Sequence, residues 1–378
     1  MSMKSNNTLL KTTKKQKVLV AMSGGIDSSV AAYLLKEQGY DLIGIHMKFW
    51  TEERKQEGFL SGKENKCCSI ESVEDARDVC NQLNIPFYVL NFRDDFKDDV
   101  VEYFINSFKA GLTPNPCVVC NKKIKFGLLY EKLKEFGADY VATGHYARIA
   151  RVNGQCYLQR AKDTSKDQSY FLHNIDRSVL SKTIFPIGEV DNKEQVRKIA
   201  SDIGLRISQK KDSQEICFIP GNDYKGFIAR NVRHESPKGD IVDMDGNVIG
   251  THEGLLYYTI GQRRGINTKL ITPLYVVKKN FRDNTLIVGS LADCTISNIN
   301  LLNTNFLTDR IEQYKDDMKI QIRYRGKDLG VEKLNIINNN TLNVILKDGD
   351  VGIAPGQFGV LYNKDNIVLG GGVINIKE

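Results

Sequence analysis

Two cysteines at Cys-x-x-Cys spacing, Cys117 and Cys120, stand in the segment Thr113-Pro114-Asn115-Pro116-Cys117-Val118-Val119-Cys120-Asn121, which runs on into Lys122, Lys123 and Lys125. Such a pair suits half a zinc site, a redox couple, or a nucleophile with a helper thiol. Zinc calls for a second pair at similar spacing, and the other cysteines are scattered. A thiol with the usual pKa of about 8.5 is only a few per cent ionised at neutral pH. Nearby lysines, and a helix N-terminus after the loop, would favour the anion; a buried thiol held between prolines is the plainer reading. Cys217 follows the polar, aperiodic run Lys210-Lys211-Asp212-Ser213-Gln214-Glu215. A thiol on a moving segment can collect cargo in one position and deliver it in another, whereas alone Cys217 reads more readily as a buried strand residue. Cys80 falls on an apolar helical stripe and reads as packing. Cys67, Cys68, Cys156 and Cys294 attract no chemistry.

The second chemical stretch is Ala21-Met22-Ser23-Gly24-Gly25-Ile26-Asp27-Ser28. It follows the short valine-rich run Val18-Leu19-Val20, a buried strand by composition, and leads into a helix-period segment that Gly39 should stop. A strand, a tight turn and a helix aim free backbone N–H groups at an anion. Gly24 and Gly25 let the main chain approach phosphate oxygens, and Ser23 and Ser28 add hydroxyl donors. No Gly-Lys-Ser/Thr follows the turn, so this is not a Walker A loop.

The elements that must position these groups alternate between strand and helix up to His145. Strands are expected at 41–49, 86–92 and 139–143, and helices at 70–83, 94–110 and 126–136. That order implies α/β architecture, a parallel sheet wrapped by helices, with ligands beyond the carboxyl ends of the strands. The glycine turn, Met47 and Gly144 all fall at such ends, which points to one nucleotide pocket. A hairpin is expected at 146–160, turning at Asn153-Gly154, then helices at 193–203 and 223–232. Beyond Pro237 the chain turns to hairpins at Asp245-Gly246 and Asp283-Asn284. The residues 318–325 alternate strictly, and the last eighty-odd residues read as a small closed β-barrel. The expected division is a disordered basic tail at 1–16, a catalytic domain at 17–215, a small central domain at 216–290 and the barrel at 291–378. The polar loop 51–66 is too long for an idle connector.

With 378 residues, 41% hydrophobic and 26% charged, the chain has an ordinary globular composition. Its net charge of +7 permits a polyanionic partner. No apolar run approaches the roughly 20 residues of a membrane span. The lysine-rich start lacks the hydrophobic core of a secretory signal, so the expected compartment is the cytoplasm, with mostly reduced thiols.

Taken together, Ser-Gly-Gly-Ile-Asp-Ser, Asn-Pro-Cys-Val-Val-Cys-Asn, Thr143-Gly144-His145-Tyr146, Lys166-Asp167-Gln168-Ser169-Tyr170, Glu215-Ile216-Cys217-Phe218, Tyr258-Thr259-Ile260-Gly261-Gln262-Arg263-Arg264-Gly265 and Leu369-Gly370-Gly371-Gly372 resemble the bacterial tRNA-specific 2-thiouridylases (MnmA/TrmU), members of the PP-loop ATP pyrophosphatase superfamily. The likeness runs from Lys17 almost to the C-terminus. It implies ATP-dependent replacement of O2 by sulfur at the wobble uridine of tRNA, with Mg2+ on the phosphates and its ligands unassigned. It further implies that Cys217 carries the persulfide and Cys120 is its disulfide partner, with sulfur coming from a donor protein such as a cysteine desulfurase or a persulfide relay. Cys117 stands where some relatives carry an aspartate proposed to assist proton transfer. By the same correspondence Asn115, Pro116 and Cys117 face the flipped target base, while Lys166, Asp167, Gln168, Arg323 and Tyr324 touch tRNA. Adjacent strand residues face opposite sides, so Arg323 and Tyr324 can act together only at a strand end or across an edge. Lys122, Lys123, Lys125, Lys210, Lys211, Arg263 and Arg264 are candidates for a phosphate-binding face. The alternatives are a PP-loop thiolase using an iron–sulfur cluster on Cys117, Cys120 and Cys217, another PP-loop enzyme such as an amide-forming ligase, and an RNA adaptor without chemistry.

Overall fold

A computed structural model describes residues 15–52, 69–210, 216–219, 221, 223–232, 236–268, 272–309 and 311–376. Nearly all of the expected tail, most of the 51–66 loop, Cys67, Cys68 and 211–215 lie outside the described residues.

The glycine turn leaves the central strand of a five-stranded sheet. Strand β1 (Lys17–Ala21) is flanked by β2 (Asp41–Lys48) and β4 (Tyr140–Ala142), with β3 (Phe87–Asn91) and β7 (Thr183–Ile184) at the edges. Every pairing is parallel. Val18, Leu19 and Val20 are fully buried because helices cover both faces. Helix α1 (Ile26–Glu37) lays Val30, Ala31 and Leu35 on one face, and Gly39 ends it at φ +86°. Helix α2 (Ile70–Gln82) starts at Ser69, whose hydroxyl accepts from the Ser72 N–H, and buries Cys80.

The hairpin β5 (Ala147–Val152) and β6 (Gln155–Arg160) turns through Asn153 and Gly154, both at positive φ. A central four-stranded sheet is built from β8 (Gly239–Val242), β9 (Val248–His252), β10 (Tyr275–Asn280) and β11 (Thr285–Gly289). Six further strands, β12 (Thr295–Phe306), β13 (Lys319–Gln321), β14 (Leu329–Asn338), β15 (Thr341–Val351), β16 (Phe358–Tyr362) and β17 (Val368–Asn375), close into a barrel.

Barrel and catalytic sheet share one apolar core. Phe358, Val360, Tyr362 and Val368 of the barrel cluster with Phe104, Val118, Cys120, Tyr170 and Phe218. Polar ties cross the same junction: the Tyr170 hydroxyl donates to the Phe358 carbonyl at 2.9 Å, and the Thr113 N–H to the Pro355 carbonyl at 2.8 Å. The barrel therefore braces the segment that carries Cys117 and Cys120.

Two local expectations differ. The helix after the two prolines already begins at Pro116, so Cys117 and Cys120 lie in its first turns and not in a preceding loop. Proline at the first helical position lacks only an N–H that would be unpaired there anyway. A π-helical stretch, Asn121–Leu128, then carries the three lysines. The alternation at 318–325 likewise stops being a strand after Gln321. Arg323 to Gly326 form a turn closed by the Gly326 N–H on the Arg323 carbonyl at 2.9 Å, with Arg325 at φ +58°. Arg323 and Tyr324 thus lie beyond a strand end.

Candidate active site

The turn after β1 is built for close approach. Gly24 has φ +71°, and a Cβ there would fall 2.3 Å from the Ser72 carbonyl oxygen at the start of α2. Gly144, just past β4, packs so tightly on α1 that a Cβ would lie 2.5 Å from the Ser28 nitrogen. No side chain caps α1, whose N-cap is Gly25, so its first N–H groups remain for a ligand. Ser23 is exposed at the mouth, its N–H donating to the Ser28 hydroxyl at 3.2 Å. The Ser28 hydroxyl in turn donates to the Gly25 carbonyl at 3.0 Å. Ala21, Met22 and Ile26 are buried beneath, and Met47 is buried near the end of β2. This cradle of glycine backbone, hydroxyls and an uncapped helix start fits the phosphates of ATP.

Asp27 is held from two sides. The Lys193 ammonium donates to its two oxygens at 2.6 and 2.8 Å, and the Tyr146 hydroxyl donates to one of them at 2.8 Å. Lys193 is buried at the start of the helix Lys193–Asp202. Sequence reasoning gave neither residue a role; the only hint was a lysine directly after the N-cap residue Asn192. Lys210, expected on an RNA-facing surface, instead reaches Asp75 at 2.6 Å and the Gly24 carbonyl at 3.3 Å.

His46 lies behind the turn, its Nδ1 2.9 Å from the Met22 carbonyl, and burial lowers its pKa. His145 is 2.7 Å from the Thr143 hydroxyl through Nδ1. Burial first, then the charge of Lys125, holds its pKa well below the usual histidine range, so it is neutral at pH 7.

Cys117 is exposed, Cys120 buried and Cys217 partly buried. Cys120 belongs to the large apolar cluster and Cys217 packs against it. Phe218 anchors the Cys217 segment: its ring makes edge contacts with Phe96, Phe104 and Phe227 at 5.8, 5.3 and 5.6 Å. Asn115 and Pro116 are buried, with Tyr103 hydrogen-bonded to the Asn115 backbone. Among the described residues no three His, Cys, Asp or Glu side chains form a metal-ligand group, so the iron–sulfur alternative gains no support from the geometry.

The residues expected to meet RNA divide into two groups. Lys166 is partly exposed and Gln168 is turned toward the nucleotide side, accepting from the Tyr146 N–H at 2.9 Å. Asp167 faces inward, accepting from the Ala161 N–H at 2.9 Å and the Ser169 hydroxyl at 2.7 Å. Burial raises its pKa against those bonds. Across from it, Arg323 donates to the Val351 carbonyl at 3.2 Å, and the Tyr324 ring lies 4.3 Å from that of Phe171. The Tyr324 pKa is raised chiefly by burial, against the charge and hydrogen bond of Arg325. The Phe171 carbonyl in turn accepts from the Asn121 side-chain amide at 3.0 Å, so the barrel turn packs beside the end of the helix that carries Cys117 and Cys120.

Comparison with known proteins agrees with this layout. Three family models match in sequence: a tRNA methyl transferase HUP domain over 16–221, a tRNA methyl transferase PRC-barrel domain over 225–290, and an aminomethyltransferase β-barrel domain over 296–374. A tRNA-specific 2-thiouridylase MnmA of Clostridium perfringens is 45% identical over 362 residues, 95% of this chain and 98% of the relative. The chain belongs to the tRNA-specific 2-thiouridylase family. A second member, from Clostridium kluyveri, is 43% identical over 95% of this chain and 99% of its own length. The 2-thiouridylase match thus covers all three units, catalytic, central and barrel. Among solved structures, a 4-thiouridine synthetase–RNA complex with bound ATP is 18% identical and aligns at a TM-score of 0.33, covering 57% of this chain and 50% of that one.

Proposed function

We propose that this chain uses ATP to activate O2 of the wobble uridine in tRNA and replaces that oxygen with sulfur carried on Cys217. The observation that carries the reading is that Cys120 and Cys217, far apart in sequence, pack on one apolar cluster in a domain whose glycine turn fits a nucleotide. Ala21 to Ser28, with Met47 and Gly144, hold ATP as a substrate. A uracil oxygen is a poor leaving group until it is joined to AMP, with pyrophosphate leaving. Mg2+ usually binds such phosphates with one or two carboxylates and several waters, and would neutralise their charge here; no residue is assigned to it.

A persulfide on Cys217 then supplies sulfur. The Cys120 thiolate attacks the inner sulfur of Cys217, the disulfide forms, and the outer sulfur leaves as hydrosulfide. That ion attacks C2 and AMP departs; the sulfane sulfur is reduced as the two thiols are oxidised. The disulfide requires Cα atoms within about 7 Å, which the anchored Cys217 segment must reach. Asn115, Pro116 and Cys117 line the target base, and Lys166, Asp167, Gln168, Arg323 and Tyr324 stand around it. Extruding the base makes the carbonyl accessible. The compartment is the cytoplasm, where a thiol reductant reopens the disulfide before a donor protein reloads Cys217.

The test is purified protein incubated with ATP, a sulfur donor and tRNA lacking 2-thiouridine, followed by nucleoside mass spectrometry. Thiolation that requires ATP and is lost in both Cys120→Ser and Cys217→Ser supports the reading. Activity that survives Cys217→Ser overturns it.

A further inference from the structure

A polar cavity of about 360 Å3 lies between the loop after β6 and the turn after β13, lined by residues that include Arg160, Thr164, Ser165, Asp167, Arg325 and Asp328. We infer that it is a subsite for one unstacked nucleobase of the RNA, next to the target uridine; this rests on the reading above. Its size is at the small end of ligand pockets, which run roughly 300–1,000 Å3.

The charge pattern selects a base over a phosphate. Two arginines and two aspartates balance, and Arg160 is already engaged by Asp328 through two hydrogen bonds of 2.9 and 2.6 Å. Its guanidinium lies 3.9 Å from the centre of the Tyr362 ring, and its buried Nε has no hydrogen-bond partner. A phosphate would meet both carboxylates, whereas a base edge offers donors and acceptors to match. The opposite wall is held in a costly shape: Arg325 is a non-glycine residue at φ +58°, its guanidinium 5.2 Å from the centre of the Tyr324 ring. Strained backbone of this kind persists where the surroundings enforce it, and clusters at binding sites.

Position fits as well. The Tyr324 ring, next in the chain to Arg325 of the cavity wall, lies 4.3 Å from that of Phe171, whose carbonyl accepts from the Asn121 side-chain amide at 3.0 Å, one residue past Cys120. A base in the cavity and a target base at Cys117 would therefore be near neighbours on one strand. Single-stranded RNA is read through such splayed bases, so this cavity makes the barrel a contributor to choice of substrate.

The experiment measures kcat/KM for thiolation of anticodon stem-loops in which each nucleotide flanking the target is replaced, one at a time, by an abasic ribose with its phosphate retained. Wild-type protein should lose about ten- to hundredfold at one flanking position. Arg325→Gly, which the left-handed backbone tolerates, and Thr164→Val should lose a similar factor on intact RNA. Neither should lose more when that base is already missing. Equal losses on intact and abasic RNA, or a wild-type protein indifferent to both replacements, overturn the inference. Failure of the wild type to thiolate intact RNA would instead contradict the function proposed above.

Discussion

Asp27 stands one residue into the helix that follows the glycine turn, where an unpaired carboxylate would repel an incoming phosphate. Lys193 and Tyr146 hold it, so the helix start can present N–H groups without that penalty. Lys193→Met would leave a partly buried carboxylate with one neutral partner. Removing one member of a buried pair typically costs about 3–5 kcal/mol; as Asp27 keeps some exposure, the lower end is expected, read by denaturant unfolding. The KM for ATP should rise while Asp27→Asn in the same background restores stability. Cys120→Ser and Cys217→Ser should act at a different step: both lose sulfur transfer, yet both still release pyrophosphate once when mixed with ATP and tRNA. The Ser-Gly-Gly-Ile-Asp-Ser string was legible because its types and spacing carry the phosphate chemistry locally. The lysine that neutralises its aspartate lies 166 residues away, and only the assembled catalytic unit brings the two together.

At the scale of elements, the strand–turn–helix is as sensitive to its backbone as to its side chains. Gly24→Ala places a methyl group against the Ser72 carbonyl in a left-handed conformation. The strain should displace α2 or the turn, and ATP-dependent activity should fall at least a hundredfold, on the order of 3 kcal/mol, with the sheet still folded by circular dichroism. Phe218→Ala should cost about 3–5 kcal/mol of stability as a buried ring is lost and should leave Cys217 unanchored, so disulfide formation with Cys120 becomes slower in a stopped-flow thiol assay. Periodicity located the parallel sheet, the hairpin turning at Asn153-Gly154 and the closed barrel, since each follows from alternation or glycine placement. It ran a strand through 318–325 because alternating residue types continue where the chain has already turned. The strand stops at Gln321 and the chain turns through 323–326 with Arg325 in a left-handed conformation, and sequence alternation carries no sign of that.

For the molecule as a whole, the junction between catalytic unit and barrel decides how the thiol segment is held. His173 lies in it, fully buried, with Nδ1 2.7 Å from the Tyr170 carbonyl and its ring 5.0 Å from that of Phe358. Burial, assisted by the charge of Lys122, pushes its pKa down to about 4. The unfolded chain binds this proton from pH 6.5 downward and the folded chain does not, so stability is complete above pH 6.5. It is lost as pH falls from 6.5 toward 4, by roughly 3 kcal/mol for this group, and His173→Gln should flatten that slope in urea titrations. Lysines 122, 123 and 125 with Arg263 and Arg264 should make tRNA affinity fall with salt, with a log–log slope of roughly −0.7 to −0.9 per phosphate neutralised. The central claim, that two thiols deliver sulfur to an AMP-activated uridine, is tested most directly by one single turnover. Protein carrying a persulfide on Cys217 is mixed with ATP and unmodified tRNA, and both macromolecules are analysed by intact mass spectrometry. One oxygen-to-sulfur exchange in the tRNA for each Cys120–Cys217 disulfide formed is the predicted result; thiolated tRNA with both cysteines still reduced and unlinked would contradict it.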